Sequence, residues 1–176
     1  MNDEKGQLSG EYMLLVGSLI VVLMISIFMI ANENELNIAM AAAKSGADEG
    51  VASSSSAIYP KETFNEYDDM EGLKHPYSVS IVNVSYNSSG IDENYGKQKI
   101  QFKVYAKASA DYNKKELDSI GDRINYNLRK SVATSFNTTD STNKLYNPVF
   151  SNNYVFTTAN VCLLYTSDAA DDLIGV

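Results

Sequence analysis

Glu11 abuts a long apolar run, with Gln7 four residues ahead of it. A carboxylate carried into hydrocarbon costs about 3 kcal/mol even on the milder insertion scale, so an acid at this edge calls for a partner or a route to water. Were the chain cut after Gly6, the new amine on Gln7 would supply one. Its unperturbed pKa of about 7.7–8.0 keeps it largely protonated near neutral pH, and it could pair with a Glu11 carboxylate of a neighbouring copy. The chemistry on offer is charge cancellation between subunits, not bond making. A leading Gln can also cyclise to pyroglutamate and lose its charge. Backbone donors at a neighbouring helix start, with that helix's dipole, would then serve Glu11.

The other reactive side chains form no catalytic constellation. His75 is the single histidine and precedes Pro76 in an expected turn, without a second metal ligand or a nucleophile nearby in sequence. Asp68 and Asp69 belong to an acidic stretch with Glu62, Glu66 and Glu71. Their oxygens lack the alternating spacing and central glycine of an EF-hand loop, and adjacent acids in a loop seldom share a pocket. No glycine-rich phosphate loop is found. The expectation is therefore a protein without catalytic residues, metal or cofactor, and not an enzyme.

Positioning Glu11 falls to the residues that follow it. Tyr12 to Ala31 are 20 consecutive uncharged residues, interrupted only by the small Gly17, Ser18 and Ser26. As a helix they span roughly 30 Å, about the hydrocarbon thickness of a bilayer. A core helix of a small domain would keep a polar stripe, and this one has none. Lys5 lies on the amino side and the next cation, Lys44, is 13 residues past the run, which places the amino end in the cytoplasm. Ala39-Met40-Ala41 offers small residues for a secretory peptidase. The run exceeds the usual h-region of ~7–15 residues, however, and that site lies far beyond it. A plain uncleaved anchor is the stronger alternative.

The segment Gly6, Gln7, Ser9, Glu11, followed at once by the apolar helix, resembles the class III signal peptide of archaeal type IV pilin-like proteins, the methanogen-type prepilins. The resemblance implies that a membrane-embedded prepilin peptidase cuts between Gly6 and Gln7 on the cytoplasmic side, removing residues 1–6 and keeping the helix. It also implies an assembly role for Glu11. The Arg-Arg-Gly leader of archaellins is absent, which favours a pilus over a swimming filament. The likeness extends at most to Gly50.

The whole chain of 176 residues allows one ordinary domain plus an anchor. A net charge of -8 leaves no basic field for nucleic acid. The hydrophobic share is 44% while the mean hydropathy is -0.21, so the apolar residues are concentrated and the remainder is very polar. Leu36, Ala39, Met40, Ala43, Ala47 and Val51 continue the helix at three-to-four-residue spacing, and Ser53–Ser56 with Pro60 end it near Ala57. Counted from Gln7 this is about 50 residues, or about 75 Å. Lys61 to Pro76 reads as a connecting loop.

Tyr77 to Tyr86 reads as a strand, with Val79 and Ile81 on one face and Val82 and Val84 on the other. Lys99 to Ala108 alternates Ile100, Phe102, Val104, Ala106 and Ala108 with Lys99, Gln101, Lys103, Tyr105 and Lys107. Turn residues at Asn87–Gly90 and Asn94–Gly96 suggest antiparallel pairing. Asn113 and Glu116 form a capping box before a helix whose stripe is Leu117, Ile120, Ile124, Leu128 and Val132. Lys115, Asp118, Asp122, Arg123 and Arg129 fall on its polar side, and the whole element reads as core packing without a ligand site. Tyr146–Phe150 and Tyr154–Thr158 are candidate short strands. Asn-x-Ser/Thr triplets at Asn83, Asn87 and Asn137 are candidate glycosylation sites, with Asn87 and Asn137, in expected loops, better placed than Asn83.

Cys162 is the single cysteine, but the run from Cys162 to Asp171 resembles the translation of a transposase adapter used in sequencing libraries. Residues 162–176 are accordingly expected to be read-through, with the natural carboxyl end missing. The expected organisation is α+β: a leader at 1–6, a pilin helix at 7–57 with 12–31 in the membrane, and an extracellular head of antiparallel strands with one covering helix at 58–161. The resemblance implies a pilin that starts in the plasma membrane and polymerises with copies of itself into a cell-surface pilus used in adhesion. The alternative is a singly anchored surface protein that binds a partner or surface through its head.

Overall fold

The computed structural model describes residues 3–52, 79–108 and 112–165 of an α+β chain. It divides into two units, Met1–Asn37 and Ile38–Val176. Helix α1 (Asp3–Ala52) supplies all the described structure of the first. The second holds the end of α1, β1 (Val79–Asp92), β2 (Lys97–Ala108), α2 (Lys114–Ser135), a 3-10 turn (Thr139–Ser141), β3 (Val149–Phe150), β4 (Tyr154–Thr158) and β5 (Cys162–Tyr165). The expected helix end at Ala57, the loop at 61–76, its acidic stretch and His75 lie outside the described residues.

The sheet runs β1-β2-β4-β3, with β5 also on β2. The β1–β2 pair is antiparallel as the turn residues imply. An all-antiparallel sheet is nevertheless incorrect, because β4 and β5 both lie parallel to β2. The reason is the crossover: α2 intervenes between β2 and β4, and a connection of that length brings the chain back in the same direction. β5 falls in the segment that resembles adapter sequence.

Two features of β1 depart from the simple alternation. A register shift between Ile81 and Asn83 leaves Val82 without a partner on β2. The bulge turns Val82 outward, 58% exposed, and puts Val79, Ile81 and Val84 on one face, opposite Ala108, Ala106 and Val104. The expected turn at Asn87–Gly90 is instead continuous strand, and the chain reverses after Asp92, whose carbonyl accepts from Gly96 N at 2.8 Å. Gly90, with φ of 82°, sits in a second register shift between Ser88 and Ile91, where a left-handed residue lets the strand continue.

Phe102 and Phe156 stack at 5.6 Å, and Phe136 lies 5.7 Å from Phe156. Ile120, Ile124, Leu128 and Val132 of α2 are fully buried, as their spacing predicts. The capping box forms: Asn113 Oδ1 accepts from Glu116 N at 3.0 Å, and Glu116 Oε2 accepts from Asn113 N at 2.9 Å. Asn113→Ala is expected to cost about 1 kcal/mol, read as a lower urea midpoint with unchanged slope.

Arg123 corrects the polar-side assignment, being only 7% exposed. It lies on the face of α2 that meets α1, where helix packing excludes water. Arg129 is also drawn inward, its Nη1 donating to Thr158 Oγ1 at 2.6 Å and its Nε to the Leu145 carbonyl at 3.1 Å. Burial pushes the Arg129 pKa down, against the pull of Asp122 and Tyr126.

The last turns of α1 are lined by buried Ala39, Ala42, Ala43, Gly46, Ala47 and Gly50. A Cβ placed on Gly46 would lie 2.6 Å from the Asn127 carbonyl oxygen and 2.8 Å from Leu128 Cα; one on Gly50 would lie 2.8 Å from Ile124 Cα. The small residues thus set how closely α1 and α2 pack.

Candidate functional site: the apolar sleeve of α1 and Glu11

Between Tyr12 and Ala31 no side chain of α1 is buried, and all but Val16 are exposed. Leu14 is 76% exposed, Phe28 73% and Ile30 66%, so apolar surface faces every direction around the axis. In water such an exposed apolar surface is strongly disfavoured. The stretch is long and apolar enough to cross a membrane.

The few polar groups in the sleeve are satisfied locally. Ser18 Oγ donates to the Leu15 carbonyl and Ser26 Oγ to the Val22 carbonyl, both at 2.8 Å. Hydroxyls bonded back to their own helix do not demand water, which suits them to an apolar medium. Gly10, Gly17 and Ser18 lie on one side, where with Met13, Leu14, Val21 and Val22 they line a shallow groove of about 590 Å³. Small residues at such spacing allow another helix to come close.

Glu11 is exposed at the start of this sleeve. Gly6 and Gln7 belong to the same helix by their backbone, with Gln7 one turn before Glu11. The three candidate processing and assembly residues are therefore carried by one continuous element.

The three glycosylation candidates are all exposed. Asn83 and Asn87 both lie in β1, so the expectation of a loop at Asn87 is incorrect; the bulged strand continues through it. Asn137 follows α2 with φ of 54°. Cys162 is a free thiol in β5.

A cavity on α2 escaped the reading of that helix as core alone. Asp118, Asp122 and Asn125 line it at intervals of four and three residues, opposite Asn160 and Val161, and it encloses about 490 Å³. The signal lay in the sequence as two acids and an amide on one helical face, hidden by the stronger apolar stripe beside them. Among the described residues no group of three or more His, Cys, Asp or Glu is placed to hold a metal. Comparison with known protein families, curated proteins and solved structures finds no match to this chain.

Proposed function

We propose that this chain is the structural subunit of an archaeal type IV-like pilus, cut by a prepilin peptidase between Gly6 and Gln7 and polymerised through the apolar half of α1. The observation that carries the reading is the exposed apolar sleeve lying immediately after Gly6, Gln7, Ser9 and Glu11. Before assembly the sleeve resides in the plasma membrane. In the filament it packs against the sleeves of other copies, while the polar second unit faces the medium outside the cell. Exposed Asn83, Asn87 and Asn137 are then available to glycosylation.

Moving the sleeve from lipid to a bundle of its own kind is nearly neutral in hydrophobic terms, because both surroundings are apolar. Packing and polar pairing must therefore decide whether polymer forms. The groove beside Gly10 and Gly17 supports close packing, and Glu11 supplies the polar group. Shearing cells and separating released filaments from membranes tests the reading. The protein is expected in the filament fraction, and its complete retention in the membrane fraction would favour a singly anchored surface protein.

A further inference from the structure

We propose that the cavity beside the β3–β4 turn binds a uronate, a sugar ring that carries one carboxylate. It encloses about 330 Å³, close to the lower end of the ~300–1,000 Å³ of ligand sites, which is room for one ring rather than a chain of them. Phe136 and Phe150 form its apolar wall, and Lys97, Thr138, Ser141 and Asn152 bring polar groups to it. All of these precede Cys162, so the cavity owes nothing to the segment that resembles adapter sequence.

Lys97 is what points to an anion. It is half-buried, its Nζ donates to the Ser151 carbonyl at 2.6 Å, and the ammonium lies 5.9 Å from the centre of the Phe150 ring. Neither contact neutralises the charge, and the bond to the carbonyl leaves two of the three N–H groups. Asp92 faces Lys97 in the β1–β2 register, but its carboxylate is engaged elsewhere: Oδ2 is 3.6 Å from Lys99 Nζ, and Oδ1 accepts from Asn94 N at 3.0 Å. Asp140, in the neighbouring 3-10 turn, is exposed and does not line the cavity. Among the described residues Lys97 therefore has no acid partner, and a carboxylate in the cavity would supply one through a charge-assisted hydrogen bond.

The rest of the lining selects the class of anion. No second cation lines the cavity among the described residues, which suits a single negative charge. A phosphate monoester carries about −1.5 to −2 at neutral pH and would be left under-compensated. Thr138 Oγ1 donates to the Phe150 carbonyl at 3.0 Å, so its lone pairs are left to accept. The Ser141 hydroxyl and the Asn152 amide are exposed and can both donate and accept, as ring hydroxyls require. Phe136 is held by stacking at 5.7 Å on Phe156, and Phe150 by an edge contact at 5.0 Å with Tyr95. Rings so held offer a ready surface to the C–H side of a sugar. The proposal applies to a polymerised and to a singly anchored chain alike.

The test is calorimetric titration of the full chain in detergent micelles with sodium glucuronate and sodium galacturonate, beside glucose, galactose and sodium acetate at equal ionic strength. Saturable millimolar binding of at least one uronate is expected, about tenfold or more tighter than that of the matching neutral sugar or of acetate. Lys97→Gln keeps a donor for the Ser151 carbonyl and should weaken binding about tenfold or more. Asn152→Ala, at an exposed position, should weaken it while keeping the parental thermal midpoint. Lys99→Gln, on the same strand but outside the cavity, should leave binding unchanged. Absence of binding by both uronates at tens of millimolar overturns the proposal. So does equal binding of acetate or the neutral sugar, or uronate binding that Lys97→Gln and Asn152→Ala both leave unchanged.

Discussion

Gly46→Leu is expected to lower the thermal midpoint of the second unit by roughly 10 °C or more, the equivalent of about 3 kcal/mol for a domain of this size. Even a single added carbon would sit 2.6 Å from the Asn127 carbonyl oxygen and 2.7 Å from Ser131 Cβ. Two of its three nearest neighbours are backbone atoms of α2, which cannot swing aside as the tip of a side chain can. Alanine at this position would gain about 1 kcal/mol of helix propensity over glycine. Overpacking costs about 1–3 kcal/mol, so Gly46→Ala should still be destabilising, and leucine, with three further carbons, should exceed the upper end of that range. Gly17 provides the contrast on the same helix, since a Cβ there meets nothing within 4 Å. Gly17→Ala should leave the midpoint of the second unit unchanged. Circular dichroism melts of the three variants in detergent check the pattern; equal midpoints for Gly46→Leu and the parent would mean that α1 and α2 do not pack through this glycine.

Glu11→Ala is expected to leave cleavage after Gly6 largely intact and to reduce filament yield about a hundredfold or more. Because lipid and the filament interior solvate the sleeve alike, the hydrophobic term does not hold subunits in the polymer against the membrane. Removing one member of a buried charge pair costs about 3–5 kcal/mol, since the other is left unpaired. At 1.4 kcal/mol per factor of ten, that weakens each subunit addition by more than a hundredfold. Glu11→Gln keeps an acceptor while losing the charge and should fall between parent and alanine. Quantifying sheared filaments per cell alongside the processed fraction in membranes separates assembly from cleavage. Parental filament yield from Glu11→Ala would remove Glu11 from the assembly interface.

Much of the fold is legible in the residues because strong periodicities dominate it. The 20-residue uncharged run, the alternation from Lys99 to Ala108 and the stripe from Leu117 to Val132 each match the structure closely. So does the Asn113–Glu116 cap, where two side chains within one turn settle the outcome locally. Long-range features are not legible. The parallel pairing of β4 and β5 with β2 depends on where α2 delivers the chain, which no local pattern records. The bulge at Val82 depends on partner register, and a one-residue insertion exchanges the two faces of a strand. Arg123 reads as a surface residue by type and is buried only because α1 lies against that face. Gly6, Gln7 and Glu11 are singled out by their resemblance to the class III signal peptide motif, to which the structure adds that one helix carries all three. The cavity at Asp118 and Asn125 is not legible in this way, since Asn160, Val161 and Leu163 in its wall lie more than thirty residues further along the chain.

The central claim is that the apolar helix is kept, freed of a short leader, and used for polymerisation. Mass spectrometry of the amino-terminal peptide, taken from protein in sheared filaments, addresses it most directly. The expected peptide begins at Gln7, as the free amine or as pyroglutamate. A peptide beginning at Met1 or elsewhere ahead of Gln7, or a chain starting beyond Ala31 with the apolar helix gone, would contradict it.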